Sequence, residues 1–127
     1  MNSDYKDRRP FRAKGVIHSF QYALKGIKTA LAEERNMRIH FSVSIAVILL
    51  GLITKITATE WLFVLIAIGG VFSLELINSS IERVVDLVTK EYHPLAKQAK
   101  DLAAGAVFIY AILSVIVGMI IFLPRLI

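Results

Sequence analysis

Glu75, Ser79, Glu82 and Asp86 fall at i, i+4, i+7 and i+11, so on an α-helix they form one polar stripe. Glu75 lies inside the run Trp61–Ile77, which carries no other charged residue. A carboxylate at membrane depth is costly to desolvate and marks a functional site by default. Asn78 shares that region, and Glu82 and Asp86 continue the stripe outwards. Glu75 is a candidate general base, acting on a group delivered from within the bilayer.

Further chemistry gathers at the same ends of the apolar segments. Glu33-Glu34-Arg35-Asn36-Met37-Arg38 precedes the first, and Lys97, Lys100 and Asp101 precede the third. Carboxylates without a Cys or His cluster suit a hard cation; Mg²⁺ takes one or two carboxylates plus substrate phosphates. Glu34 and Glu82 are the natural pair, and Lys100 offers a point charge to a phosphate. This set fits phosphoryl transfer, where catalysis is mostly positioning and charge neutralisation.

Structural roles compete with each assignment. Glu34 and Arg38 are also spaced as an i,i+4 helix pair. Glu82, Arg83 and Asp86 could form a solvated helix end, Lys100 and Asp101 could simply open the third helix, and Asn78 could join helices by a hydrogen bond. Gly69-Gly70 and Ala103–Ala106 read as close helix packing. The three histidines, His18, His40 and His93, are isolated and suggest no transition-metal site.

The elements that must position these residues read as helices in a membrane. The chain has 127 residues, is 56% hydrophobic and carries a net charge of +5, with mean hydropathy +0.63 and pI about 9.7. This is too apolar for an ordinary soluble domain, and with the basic balance it suggests an integral membrane protein with basic cytoplasmic segments. No cysteine is present, which excludes disulfides, thiolate metal sites and a Cys nucleophile. The polar N-terminus lacks the apolar core of a signal peptide. No P-loop, protein-kinase signature, zinc motif or nucleophile elbow occurs.

The expected architecture is an all-α membrane protein. A basic flexible arm spans 1–14, and a single domain spans 15–127. Within it, Val16, Phe20, Ala23, Leu24, Ile27 and Leu31 recur at helical spacing and predict an amphipathic surface helix over 15–34. Transmembrane helices are expected at about 36–56, 60–88 and 98–123, with a hairpin at 54–59 and a polar loop at 89–95, where Pro94 interrupts one helix or starts the next. Nine of the fifteen Lys/Arg lie within residues 1–38, and Arg83, Lys90, Lys97 and Lys100 flank the second loop. The positive-inside rule therefore puts the N-terminus and the 86–100 loop in the cytoplasm of a multi-pass protein. No nucleic-acid partner is expected.

The segment Glu75-Leu76-Ile77-Asn78-Ser79-Ser80-Ile81-Glu82-Arg83-Val84-Val85-Asp86 resembles the signature of the bacterial integral-membrane diacylglycerol kinase family. Ala99-Lys100-Asp101-Leu102-Ala103-Ala104-Gly105-Ala106-Val107, Tyr22–Ile27 and Glu33–Asn36 extend the likeness from about residue 12 to the C-terminus. The Glu-Arg-Asn-x-Arg-Ile-His stretch and the Tyr-His-Pro-Leu-Ala-Lys loop look most like the Gram-positive branch, whose members act mainly as undecaprenol kinases.

The resemblance implies ATP- and Mg²⁺-dependent phosphorylation of undecaprenol to undecaprenyl phosphate in a bacterial cell membrane. It also implies a homotrimer with active sites between subunits. By motif, Glu75 corresponds to the catalytic base and lipid-contacting carboxylate, Asn78 to a supporting residue, and Glu34 with Glu82 to the metal pair. Tyr22, Glu91, Tyr92, His93, Lys100 and Asp101 correspond to nucleotide contacts. An arginine that touches ATP in the diacylglycerol branch aligns with Gly15, with Lys14 and Arg12 nearby, and an aromatic residue of that branch is replaced by Met37. A diacylglycerol kinase making phosphatidic acid is the nearest alternative. A small proton-coupled transporter subunit is a remote one, since the outer halves of the spans are almost wholly apolar.

Overall fold

The computed structural model describes residues 13–127, with side chains described from residue 15. The arm expected over 1–14 falls, up to residue 12, outside the described residues. Four helices follow in order: α1 (Ala13–Glu33), α2 (Arg35–Thr54), α3 (Ala58–Val88) and α4 (Pro94–Leu126). Among the described residues there is no strand.

Helices α2, α3 and α4 are each long and apolar enough to cross a membrane. The 20 residues of α2 span about 30 Å, one hydrocarbon thickness. The 31 residues of α3 run about 46 Å, so several of its turns must emerge from the apolar layer. Large apolar side chains such as Leu52, Ile53, Leu62, Ile66, Phe108, Ile109 and Ile120 stand exposed along these helices. Water would penalise such a surface, whereas lipid chains or a second apolar helix would not.

Each connection has a local cause. Glu34 alone separates α1 from α2; it is extended, at φ −96° and ψ 119°. Its N–H still donates to Ala30 O at 2.8 Å, and its carbonyl accepts from Arg38 N at 3.3 Å. Arg38 Nη1 donates to Ala32 O at 2.8 Å and Leu31 O at 3.3 Å, satisfying carbonyls that the end of α1 leaves without helical partners. The i,i+4 spacing of Glu34 and Arg38 therefore does not set their side-chain partners.

α2 ends at Lys55 in the left-handed region, φ 51° and ψ 52°, a cap usually taken by glycine. Thr57 and Glu60 then form a reciprocal capping box that starts α3. Glu60 Oε2 accepts from Thr57 N and from Arg125 Nη2, each at 2.7 Å, so the last turn of α4 is tied to the first turn of α3. Pro94 opens α4 rather than interrupting it, with His93 Nδ1 accepting from Leu95 N at 3.1 Å as its cap.

The antiparallel pair α3–α4 makes the most extensive contact, with α2 packing along α3. Gly70 lets the Tyr110 ring lie against the α3 backbone, and Tyr110 Oη donates to Ile66 O at 3.1 Å. Gly51 likewise admits the Trp61 ring; a Cβ there would stand 2.9 Å from it. The core sits at this hairpin end, in Ile56, Val64, Ile121 and Phe122. The polar chemistry lies at the other end.

Candidate functional site

Among the described residues, the buried polar or charged side chains are Glu75, Asn78 and Ser79, all on one face of α3. The stripe inferred from spacing therefore faces protein at its deep end. Glu75 is only 3% exposed, and His40 Nε2, on α2, stands 3.3 Å from its Oε1.

One turn outwards, Asn78 Nδ2 donates to Glu82 Oε1 at 3.2 Å. A carboxylate only accepts, so Nδ2 must face it and the amide oxygen must turn away. That oxygen is buried and has no hydrogen-bond partner. An orphan acceptor in a buried site calls for a donor or a cation.

Arg83 joins α3 to the α1–α2 break. Its Nη2 lies 2.8 Å from Glu33 Oε2 and its Nη1 lies 3.0 Å from Glu34 Oε1. Glu34 and Glu82 both act within Coulombic reach of Glu75. Lys100, from α4, is within the same reach of Glu82 and lies 2.6 Å from Asp86 Oδ1. Thus α3 and α4, with the α1–α2 break, bring Glu34, Glu75, Asn78, Glu82 and Lys100 to one end of the helices, where His40 of α2 meets Glu75.

The remaining sequence candidates stand elsewhere. Asp101 pairs with Lys97 one turn earlier on α4. Glu91, Tyr92 and His93 are exposed on the α3–α4 loop, where Glu91 N donates to Thr89 Oγ1 at 3.1 Å. Tyr22 lines a 610 Å³ cleft between α1 and α3 with Lys25, Ser79, Ser80 and Arg83. Tyr22 itself is exposed, and the far wall of the cleft carries Arg83, which pairs with Glu33 and Glu34.

Among the described residues, no three His, Cys, Asp or Glu side chains form a group able to hold a metal ion. The carboxylates of Glu34 and Glu82 are nonetheless donors of the kind Mg²⁺ takes, one or two per ion, with water and substrate phosphates completing its shell. The donors are all hard oxygens, and Glu34 already faces a cation in the Arg83 guanidinium.

Residues 21–122 match the family model described as prokaryotic diacylglycerol kinase. The chain belongs to the prokaryotic diacylglycerol kinase family. It is accordingly a lipid kinase and a multi-pass membrane protein, with a lipid substrate and ATP as the co-substrate such a kinase uses. The transporter reading falls with this result. The kinase is 45% identical to the undecaprenol kinase of Bacillus subtilis, over 97% of this chain and 99% of that one. It is 44% identical to a diacylglycerol kinase of Synechocystis, over 90% of this chain and 66% of that one. It is also 30% identical to the diacylglycerol kinase of Escherichia coli K12, over 80% of this chain and 83% of that one.

His40 and Arg83 were not singled out from the sequence as site residues. Both lie in segments that carry the family resemblance, but their partners are set by contacts between helices, which no local spacing encodes. The available signal was the antiparallel hairpin itself, which places the start of α2 beside the C-terminal half of α3.

Proposed function

We propose that this kinase transfers the γ-phosphoryl group of ATP to undecaprenol, giving undecaprenyl phosphate and ADP. The observation that carries the reading is the burial of Glu75 in a span-length helix, with oxygen donors stepping outwards from it towards Glu34 and Lys100. A lipid alcohol can reach such a carboxylate without leaving the bilayer, while ATP approaches from the aqueous end.

The lipid oxygen forms a bond to the γ-phosphorus as the bond to the ADP oxygen breaks. Glu75 takes the hydroxyl proton. Asn78 holds Glu82 in place, and Lys100 neutralises phosphate charge. Glu34 and Glu82 would hold Mg²⁺, which when bound supplies charge neutralisation to the nucleotide phosphates. Tyr22, Glu91, Tyr92, His93 and Asp101 contact the nucleotide.

The basic residues that flank α2 and the α3–α4 loop support a cytoplasmic N-terminus and 86–100 loop in the bacterial cell membrane. α1 lies on the membrane surface as an amphipathic helix, with residues 15–127 forming one kinase domain after a basic arm. Three chains assemble into a homotrimer; the apolar surface left open on α2, α3 and α4 supports association within the bilayer.

Undecaprenol is favoured by the near full-length similarity to the Bacillus subtilis enzyme. The deciding experiment compares undecaprenol with diacylglycerol side by side, using the purified protein in nanodiscs and labelled ATP. The expected result is a higher kcat/KM for undecaprenol. A preference for diacylglycerol would make this a diacylglycerol kinase producing phosphatidic acid.

A further inference from the structure

We propose that His40 is the positioning residue of the phosphoryl-transfer site, holding Glu75 from the neighbouring helix so that its carboxylate meets the lipid hydroxyl. The proposal rests on the reading of Glu75 as the base. His40 Nε2 lies 3.3 Å from Glu75 Oε1, and the two side chains are 26% and 4% exposed. A carboxylate has two oxygens. A partner on Oε1 fixes the plane and reach of the group and leaves Oε2 to the substrate.

The stripe itself does not provide this restraint. Asn78 is committed to Glu82, and Arg83 to Glu33 and Glu34. Glu82, two turns along the same face of α3, and Glu34, tied to that helix through Arg83, are carboxylates themselves and offer Glu75 no donor. A buried carboxylate among like charges needs a donor or cation to stay in place, and His40 occupies that position.

His40 also faces the bilayer side of the site. Its ring lines the end of a 340 Å³ cavity between α2, α3 and α4, whose other walls include Val43, Val47, Val71 and Val115. The same side chain thus borders an apolar space that a hydrocarbon can enter and touches the carboxylate that would receive the proton. It sets where the reacting oxygen of the lipid and the carboxylate meet.

The test uses the full chain in nanodiscs with undecaprenol and ATP. His40→Ala is expected to lower kcat about 10- to 100-fold, as loss of an orienting partner does, with KM for ATP unchanged within about twofold. His40→Gln, which keeps a donor on a side chain of similar reach, is expected to recover part of kcat. In a double-variant cycle, His40→Ala added to Glu75→Gln should cost little beyond Glu75→Gln alone.

Undiminished kcat in His40→Ala would overturn the proposal. So would a loss expressed only in KM for ATP, or a full additional loss on the Glu75→Gln background. If His40→Ala does not assemble, His40→Gln and His40→Leu give the same comparison, and equal kcat in these two overturns it. Failure of the Glu75 reading is seen separately, as near-native turnover in Glu75→Gln alone.

Discussion

Arg83 Nη1 on α3 lies 3.0 Å from Glu34 Oε1 at the α1–α2 break. One of the two carboxylates proposed to hold Mg²⁺ is therefore met by a cation of the protein's own. The pair is partly exposed, at 45% and 27%, so screening limits what it adds to stability. Its effect should appear in ion binding. Arg83→Gln is expected to leave the melting midpoint nearly unchanged and to lower the Mg²⁺ concentration for half-maximal turnover at least about twofold, because a competing charge is gone. A Mg²⁺ titration at saturating ATP reads this directly; a higher requirement would mean that Arg83 orients Glu34 for the metal.

Removing the base tests the core of the proposed mechanism. Glu75→Gln keeps the shape and one acceptor oxygen but cannot take a proton. Turnover should fall by about 100-fold or more, with an unchanged elution profile in detergent. Glu34→Ala and Glu82→Ala should instead shift the Mg²⁺ titration to higher concentration. Unshifted curves in both would remove them as the metal pair.

Two adjacent glycines should respond with opposite sign. Gly69 has open space where a Cβ would go, whereas a Cβ on Gly70 would run into the Tyr110 ring. Gly69→Ala is expected to stabilise by about 0.5–1 kcal/mol through the reduced backbone entropy of the unfolded chain. Gly70→Ala should destabilise by about 1–3 kcal/mol by overpacking. Reversible denaturation in mixed micelles compares the two; equal effects would argue against the observed α3–α4 register.

At the opposite end from the site, Glu60 closes the capping box and also pairs with Arg125. Glu60→Ala should lower the melting midpoint by freeing the start of α3 and the end of α4. KM for ATP and for lipid should stay as they were, because this clamp lies beyond the apolar core. A change in KM for ATP would show that the hairpin end communicates with the polar cluster.

Helix type and the deep stripe were legible because both are periodic. The 75-79-82-86 spacing needs only the helical repeat, and the buried face of Glu75, Asn78 and Ser79 agrees with it. Side-chain partners were less legible. The i,i+4 rule offered Arg38 to Glu34, yet Arg38 turns to the carbonyls of Leu31 and Ala32, and Glu34 meets Arg83. Gly51 with Trp61, Phe41 with Phe72, His40 with Glu75 and Glu34 with Arg83 are successive rungs of one antiparallel pair. Counting outwards from the 55–57 turn brings His40 close to Glu75, but which side chains of the two helices face each other is set by packing that the count does not give. The directions taken by Tyr22 and by Glu91-Tyr92-His93 depend on loop and surface geometry that no repeat encodes.

Only Glu34 stands between α1 and α2, and one residue has just two soft torsions. The joint therefore has no slack. Any tilt of α1 must be absorbed at the residue whose carboxylate faces Arg83, so the attitude of that first helix and the reach of this carboxylate form a single mechanical variable.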